Sequence, residues 1–367
     1  MNFIRFFFGS HWLYFLLKNK KLKMNLKIKT IYSLKDFLEL EKSWNELFSS
    51  GNYTFFQTFN YNYLAFENML SKNNKNKLNI IFIKNGDKAV CICPFYSDKN
   101  GVLRFINDIH SDFCDILLDN QFTFKEISLI EKSIMSYRFI NIKKDSQLLK
   151  VFKNNNYKYV YKENNARFSY INLLKGEFPE NNKNLKSKYR HRIRGVVKKN
   201  KQSRHMILSY KEQEFPLDEI VLLRDKMIKL NYRNKEYLDS FLIGLLKDLY
   251  EKNELIVSKI TKNEKIQALS FILVQKNKYL IWIDMFDNSK MINIFNYISL
   301  LTNLSAKSNV EFHFGRGDYD YKIKNFCPVV DDLISINAFQ NKFLQMRFLI
   351  LTFVINTLKP IYKKFIQ

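Results

Sequence analysis

Apolar residues recur along this 367-residue chain with two different periods, and each period predicts one type of secondary structure. In the first half, alternation predicts strands at 27–32, 78–84, 89–96, 103–106 and 113–118, and helical spacing predicts helices at 34–48 and 60–70. Ser33 is a suitable N-cap for the first helix, and Asn85-Gly86 between two strands predicts a hairpin. The pattern therefore predicts an α/β domain over residues 25–160.

The second half begins after an asparagine-rich stretch and again alternates helices with strands. The predicted elements are a strand at 168–173, a basic helix within 183–205, helices at 217–230 and 237–250, an antiparallel meander at 255–261, 268–275 and 279–286, a helix capped by Asn288 or Ser289 that runs to Lys307, and strands at 311–314 and 333–336. We place a second domain over residues 161–337. An amphipathic helix is expected within 338–367.

The strand that ends at Phe314 runs directly into a charged turn, Gly315-Arg316-Gly317-Asp318. Phe312 and Phe314 alternate with polar residues, so one face of the strand is expected to be buried and the other to meet solvent or a ligand. Glycine permits positive φ and a close approach of two backbones. The turn and Lys322 together place two cations and a carboxylate at the end of a buried strand, where binding sites are common.

Only one predicted helix has a charge distribution that bears on function. The formal net charge is +25, but asparagine, lysine, isoleucine, phenylalanine and tyrosine are all abundant, as an AT-rich coding sequence produces, so the global value carries little weight. Residues 183–205, however, contain ten lysines and arginines and no acidic residue. Because like charges repel, this helix is interpreted either as a contact for a phosphate-bearing partner or as an ordinary surface helix.

The cysteines and the two ends of the chain bear on the cellular compartment of the protein. The four cysteines form no dense framework and no Cys-x-x-Cys pair, so we expect a reducing, cytoplasmic compartment and no metal site. Residues 1–24 are interpreted as an upstream extension or an interfacial leader, since their apolar run carries charge and is too short to span a bilayer. Residues 1–17 and 343–364 are candidates for peripheral contact with the inner face of a membrane.

Several short motifs occur in the same order as in one known group of proteins. In the second half they are Lys188-Tyr189-Arg190-His191-Arg192-Ile193-Arg194, Gln267-Ala268-Leu269-Ser270-Phe271, Tyr279-Leu280-Ile281-Trp282 with Asp287, and Phe314-Gly315-Arg316-Gly317-Asp318 with Tyr321-Lys322. In the first half they are Ser43-Trp44-Asn45-Glu46-Leu47, Ala89-Val90-Cys91-Ile92-Cys93-Pro94-Phe95 and Ser111-Asp112-Phe113-Cys114-Asp115. Over residues 26–345 the chain resembles the GNAT-like acyltransferases of the CelD and FemAB-like group. The resemblance implies an α/β (α+β) fold of two tandem GNAT-like domains, each with a mixed, largely antiparallel central sheet flanked by helices.

The resemblance implies an enzyme that transfers an acyl group to an amine of a small molecule or glycan, in a cell-envelope or polysaccharide pathway. Asp318, and after it Asp287, are the candidate general bases, because each follows a presumed central strand. Alternatively, Asp318 orients Arg316 and Lys322 in a structural ion-pair turn. Substrate contacts are expected from Arg316, Tyr321, Lys322, Arg190 and Arg194, and cofactor contacts from Trp282, Ser289 and Lys290.

The sequence leaves the acyl donor open. In a GNAT-like fold, strands 279–286 and 311–314 would splay apart to admit the acyl arm, and the helix after Ser289 would direct its N-terminus at the pyrophosphate of acetyl-CoA or another acyl-CoA. The loop from Asp287 to Ile292, however, contains no glycine. Two alternatives follow. One is a FemAB-like transferase that takes its group from aminoacyl-tRNA, and the other is a non-catalytic GNAT scaffold that binds an anionic glycan or a membrane surface.

Overall fold

One sheet of eleven strands runs through both halves of the chain, beside a smaller sheet of four strands. The computed structural model describes residues 25–72, 75–121, 136–151, 159–287, 289, 291–339, 342–343, 345–350 and 354. Within these residues the fold is mixed α/β, and its mostly antiparallel sheets are flanked by helices. The predicted fold class is therefore confirmed.

The secondary structure of the described part of the chain includes fifteen strands and nine α-helices with defined bounds. The strands are β1 (Leu26–Ile31), β2 (Lys77–Leu78), β3 (Ile80–Asn85), β4 (Lys88–Cys93), β5 (Phe95–Ser97), β6 (Leu103–Phe105), β7 (Leu117–Leu118), β8 (Ser136–Lys143), β9 (Tyr159–Leu173), β10 (Arg204–Leu208), β11 (Leu255–Lys262), β12 (Lys265–Gln275), β13 (Lys278–Phe286), β14 (Val310–Arg316) and β15 (Val329–Phe339). The helices are α1 (Leu34–Leu38), α2 (Glu41–Ser50), α3 (Phe59–Lys72), α4 (Gln147–Val151), α5 (Ser187–Lys199), α6 (Leu217–Lys229), α7 (Ser240–Glu251), α8 (Ile292–Lys307) and α9 (Asp320–Phe326). Among these, no helix is both long and apolar enough to cross a bilayer.

The first half forms the smaller sheet, in the order β1-β3-β4-β7. Ser33 caps α1 as predicted, because its hydroxyl accepts a hydrogen bond from the backbone N–H of Asp36 at 3.1 Å. The predicted hairpin joins β3 to β4 through Gly86, whose φ of 61° lies in the left-handed region that glycine adopts readily. The local signals for a cap and a turn are thus confirmed in this half.

The second half contains the predicted meander, and its last strand leads into a parallel crossover. β11, β12 and β13 are antiparallel, and α8 connects β13 to a parallel β14. β14 pairs on its other side with β9, and β9 pairs with β15. Because β15 also pairs with β8 of the first half, hydrogen-bonded strands join the two halves directly.

Several predicted elements differ from the observed ones. The strand predicted at 168–173 is the end of the fifteen-residue β9, and the strand predicted at 333–336 is the middle of the eleven-residue β15. The polar parts of these strands are held by their backbone ladder, which needs no apolar side chains. β9 also crosses residue 160, where the sequence places the domain boundary, and the boundary itself stays a prediction.

Other differences arise at helix ends and in short strands. α8 begins after Met291, which has left-handed backbone angles, so the predicted cap by Asn288 or Ser289 is wrong. The helix predicted at 34–48 is divided into α1 and α2, and the strand predicted at 113–118 is reduced to β7. β8, α4, β10 and α9 have no counterpart in the prediction. Within 338–367 the described residues 342–343, 345–350 and 354 are helical, and the leader 1–24 lies outside the described residues.

Asn141 on β8 fixes the segment that precedes Asp112. Its side chain is fully buried and its φ is 59°. Its Nδ2 donates to the carbonyl oxygens of Asp108 at 3.2 Å and Ser111 at 2.9 Å, and its Oδ1 accepts from Asn165 Nδ2 at 2.8 Å. One side chain therefore holds the irregular segment between β6 and β7 against the larger sheet.

We predict that Asn141→Ala destabilises the fold by about 2–4 kcal/mol, because buried carbonyl groups lose their donors and alanine tolerates the left-handed region poorly. The free energy of unfolding in urea measures the effect. Asn165→Ala is the matched control, since it removes only one of the same hydrogen bonds from an exposed side chain. Equal stability losses in the two variants would contradict the role given to Asn141.

Candidate active site

The parallel strands β13 and β14 separate soon after they begin to pair. Their register covers only residues 278–280 of β13 and 311–313 of β14. Farther along, β13 stays paired with β12, and an extra residue, Trp282, lies between the paired positions Ile281 and Ile283. Such bulges often occur beside functional sites. The edge of β13 that faces β14 is therefore unpaired beyond Leu280, and the predicted splay is observed.

Asp112 of the first half occupies this gap. Its Oδ2 accepts the backbone N–H of Arg316 at 3.1 Å, and its Oδ1 lies 3.7 Å from Arg316 Nε. A Cβ atom on Gly315 would lie 2.7 Å from Asp112 Oδ2 and 2.8 Å from the carbonyl oxygen of Ile281. The carboxylate, the glycine and the backbone of β13 thus meet where a larger side chain would not fit.

Burial determines the protonation of Asp112. It raises the pKa of the carboxyl to about 6, and the charge of Arg316, the hydrogen bond from its backbone N–H and the charge of Lys322 counteract part of this effect. A carboxyl with a pKa near 6 is mostly ionised at neutral pH but accepts a proton more readily than an exposed one. These properties suit a general base.

Lys322 holds the turn that follows β14. The residue is only 3 % exposed, and its Nζ donates to the carbonyl oxygens of Phe314 at 2.6 Å, Gly317 at 3.1 Å and Arg316 at 3.3 Å. Burial lowers the pKa of Lys322 to about 8, against the opposing influence of Asp112. The ammonium therefore has three acceptors inside the chain, and the shape of the turn depends on it.

Asp284 is a second, partly buried carboxyl, on the face of β13 that α8 covers. Its Oδ1 accepts from the Ser270 hydroxyl at 2.7 Å and its Oδ2 from the Tyr297 hydroxyl at 3.0 Å. Burial raises the pKa of Asp284 to about 6 in spite of these hydrogen bonds. Tyr321 on α9 shares a further hydrogen bond with Tyr297. A polar network therefore connects β13 with the helix after the turn.

The two predicted bases make ion pairs outside this gap. Asp318 Oδ2 lies 2.9 Å from Arg167 Nη1, and the Asp318 side chain is 48 % exposed. Its hydrogen-bonding partner is thus Arg167, and not the Arg316 or Lys322 of the alternative prediction. Asp287 lies 3.5 Å from Lys226 Nζ and accepts the backbone N–H of Ser289 at 2.8 Å. A role of either residue as base stays a prediction.

The other predicted contacts are distributed over the second half. Arg316 adjoins Asp112, and its Nη2 also donates to the carbonyl oxygen of Ile109 at 3.2 Å. Trp282 Nε1 donates to the His110 carbonyl oxygen at 2.6 Å, and Ser289 Oγ accepts from Gln267 Nε2 at 3.0 Å. Arg190 Nη1 donates to the Asn182 carbonyl oxygen at 3.1 Å, and Arg194 lies 3.2 Å from Glu180. Lys290 lies outside the described residues. The structure thus brings together Arg316, Lys322 and Tyr321, and leaves Arg190, Arg194 and Ser289 elsewhere.

The N-terminus of α8 offers little to a phosphate. The N–H of Ile292 donates to the Ser289 carbonyl oxygen at 3.3 Å and that of Phe295 to the Met291 carbonyl oxygen at 3.0 Å. The N–H of Ile294 donates to the side chain of Asn293 at 2.8 Å. Because these donors already have acceptors, and the Asp287 carboxylate lies in the preceding loop, the predicted pyrophosphate contact finds no support here.

Asp112 and Asp284 are the site residues that sequence reasoning missed. Asp112 lies in a turn that matches the resembling family, but its partners are some 200 residues away in the chain, as for Arg316. Asp284 stands alone in an apolar strand, and a single buried acid of this kind is a signal that could have been used. In the described residues, no cluster of three or more histidine, cysteine, aspartate or glutamate side chains is arranged to hold a metal ion.

The splayed pair within a largely antiparallel sheet, the α8 crossover and the joined halves define a tandem GNAT-like fold. No family model and no curated protein matches the chain. Among solved structures it is similar to the C-terminal domain of a protein assigned as lysylphosphatidylglycerol synthetase from Agrobacterium fabrum, at 12 % identity over 88 % of this chain and 97 % of that chain, with a TM-score of 0.55.

Two further structures share the fold. L-PGS from Bacillus licheniformis is 13 % identical over 88 % of this chain and 96 % of that one, with a TM-score of 0.52. FemX is 8 % identical over 87 % of this chain and 99 % of that one, with a TM-score of 0.56. At these identities the likeness establishes the fold alone. It agrees with the predicted GNAT-like fold and shows no family.

We predict that Gly315→Ala destabilises the protein by about 2–5 kcal/mol, because a Cβ would meet the Asp112 carboxylate and φ is +74°. Gly86→Ala is the matched control: its φ is also positive, but its Cβ would meet nothing within 4 Å, so about 1 kcal/mol is expected. Chemical denaturation measures both. If Gly315→Ala lost no more stability than Gly86→Ala, the packing around Gly315 would not be as tight as described.

Proposed function

We propose that the chain is an aminoacyltransferase that moves an aminoacyl group from aminoacyl-tRNA to an amine of a cell-envelope precursor, with Asp112 as the general base. The position of Asp112 carries the proposal. Its buried carboxyl, with a pKa of about 6, lies in the gap between β13 and β14 beside the partly exposed Arg316. The lysylphosphatidylglycerol synthetase name of a fold neighbour agrees with transfer of an amino acid to an envelope component.

The chemistry needs a base, a positive charge and a leaving group that can be protonated. As the acceptor nitrogen attacks the ester carbonyl carbon, Asp112 takes the proton that the nitrogen releases. The carbonyl oxygen becomes negative in the tetrahedral intermediate, where the guanidinium of Arg316 stabilises it. When the ester C–O bond breaks, the protonated Asp112 returns its proton to the ribose oxygen of the tRNA. Atoms and charge then balance without a further reactant.

The loop before α8 favours tRNA over acyl-CoA as the donor. A CoA pyrophosphate bound there would compete with acceptors that the α8 N–H groups already have. It would also approach the Asp287 carboxylate, and like charges repel. An aminoacyl ester at the end of a tRNA has no pyrophosphate to place in this loop. The acetyl-CoA donor therefore has less support than aminoacyl-tRNA.

The surface of α5 also favours a polyanionic donor. Arg194 pairs with Glu180, and Arg190 donates to backbone carbonyl groups. The other eight cations of this region are exposed and have no carboxylate partner among the described residues: Lys183, Lys186, Lys188, Arg192, Lys198, Lys199, Lys201 and Arg204. Such an unpaired cluster is costly in isolation and favourable against a phosphate backbone.

The compartment follows from this proposal. Aminoacyl-tRNA is a cytoplasmic substrate, and an envelope precursor is reached at the inner face of the membrane. Peripheral contact through the C-terminal segment agrees with its exposed apolar residues, which include Phe343 and Ile350. The cytoplasmic location and this contact remain parts of the proposal.

We predict that Asp112→Asn lowers the rate of aminoacyl transfer by about 10²–10⁴-fold, because the amide cannot accept the proton. The base works in its ionised form, so wild-type activity should fall as the pH drops below about 6, and the variant should lack this dependence. Radiolabelled amino acid moved from charged tRNA to an envelope-precursor fraction measures both. Asp318→Asn is the control, since its side chain is half exposed and lies outside the gap. An inactive Asp318→Asn beside an active Asp112→Asn would assign the base to Asp318.

We predict that replacing Lys188, Arg192 and Lys199 of α5 by glutamine weakens tRNA binding and lowers the slope of log Kd against log salt by about 2–3, close to one per lost phosphate contact. Filter binding over a salt series measures the slope. The matched control replaces Lys27, Lys35 and Lys42, which are equally exposed cations of the first half. An unchanged slope in the α5 variant, or an equal change in the control, would rule out α5 as the tRNA contact.

A further inference from the structure

A cavity of about 930 Å³ lies between the two halves, away from the opening of the splay. Its walls include Lys278 at the start of β13, Glu311 at the start of β14, His313 in the middle of β14, and Lys143 at the end of β8. The splay opens towards the opposite ends of β13 and β14. Phe113 is the wall residue next to Asp112 in the chain. The volume is in the range of small-molecule sites, and polar and charged side chains make up much of the lining.

Lys143 is the partly buried cation of this cavity that has no acceptor among the described residues. Its Nζ lies 4.1 Å from the ring centre of Phe113 and 4.7 Å from that of Phe168. Among the described residues, no hydrogen-bond acceptor and no carboxylate lies within bonding or ion-pair distance of this ammonium. Contact with two ring faces favours the charged ammonium, whereas burial lowers the pKa of Lys143. Its three donors thus point to a partner that the chain itself does not provide.

The carboxylates inside the cavity are, by contrast, already engaged. Glu311 lies 2.7 Å from His313 Nε2 and 3.4 Å from Lys278 Nζ, and these contacts hold its pKa at about 2. Asp332 pairs with Lys144 at 2.6 Å. Asp115 accepts three backbone N–H groups, from residues 116, 147 and 148. Glu311 and Asp332 therefore have cationic partners and Asp115 is held by backbone donors, whereas the ammonium of Lys143 has no hydrogen-bond acceptor among the described residues.

His313 adds a second unmatched polar group to the wall. The residue is 4 % exposed, and its Nδ1 has no hydrogen-bond partner. Since Nε2 faces the Glu311 carboxylate, it carries the proton, and the neutral ring leaves Nδ1 with a lone pair. Tyr170 stacks on this imidazole at 5.6 Å between ring centres. An unsatisfied acceptor beside an unsatisfied cation is costly unless a ligand uses the space.

We propose that this cavity is a second binding site, for a small polar ligand that carries a phosphate or carboxylate group and hydroxyl groups, with the anionic group on Lys143. The anion supplies the acceptors that the ammonium lacks, and the desolvated setting strengthens the contact. Exposed Lys150 at the lining adds a second cation. Exposed Asp145 and Asp331 favour a ligand whose negative charge is confined to one end. The site is independent of the proposed transfer reaction.

Titration calorimetry of the full chain tests the site with three probes: inorganic phosphate, glycerol 3-phosphate and glycerate. We expect glycerol 3-phosphate or glycerate to bind more tightly than inorganic phosphate, and the tighter of the two identifies phosphate or carboxylate as the preferred group. Lys143→Met should weaken binding of that probe by at least about tenfold. Lys84→Met is the matched control, because Lys84 also lies over an aromatic ring, Phe82 at 5.3 Å, but outside the cavity.

Lys150→Glu keeps the test decisive if Lys143→Met fails to fold, because Lys150 is exposed and its reversal places a repelling charge at the cavity. It should weaken binding more at low than at high salt. Failure of all three probes to bind in the millimolar range would overturn the proposal. Wild-type affinity in a folded Lys143→Met variant would also overturn it. If that variant does not fold, wild-type affinity in Lys150→Glu would have the same meaning. A loss of affinity in Lys84→Met equal to that in Lys143→Met would overturn it as well.

Discussion

The Asp112 carboxylate between β13 and β14 is the contact on which the site depends. The first half provides the carboxylate, and the second half provides both strands, the backbone N–H of Arg316 and the glycine that leaves room for it. The segment before Asp112 is in turn fixed by Asn141 and by a buried hydrogen bond of 2.8 Å between Tyr61 and Ser111. Neither half alone therefore assembles the site, and the sheet that joins them through β15 has a functional consequence as well as a structural one.

Burial favours the uncharged forms of both Asp112 and Lys322. The pKa of Asp112 rises to about 6 and that of Lys322 falls to about 8, because each charged form loses hydration. Each group also favours the charged form of the other. At neutral pH both stay predominantly charged, but protonating Asp112 requires less free energy than protonating an exposed aspartate. The Lys322 ammonium is already bound by three carbonyl groups, which is why the proposed reaction assigns proton transfer to Asp112 and not to the lysine.

Periodicity predicted those elements whose signal is contained in a short window. The meander, α6, α7, the Ser33 cap and the hairpin at Gly86 are of this kind. The polar part of β9 is stabilised by strands far away in the sequence, so its own residues carry little indication of it. β8, with buried Tyr137, Phe139 and Ile142, does carry a strand pattern, which the prediction overlooked. The turn after Phe314 was located correctly from its glycines and charges. Asp112 was not found in this way, because it reaches the turn only through the tertiary fold. The role of Asp318 as base stays a prediction.

The buried face of α5, opposite its exposed cations, packs against the same core as the turn after β14. Ile193 and Val196 are buried in the same apolar cluster as Phe314 and Phe326, the residues that flank the turn and end α9. Because protein cores are close-packed, α5 and the turn cannot move apart without repacking this shared cluster. In the proposed reaction, a polyanion bound to α5 would therefore keep a defined position relative to the gap between β13 and β14. An ordinary surface helix needs no such relation.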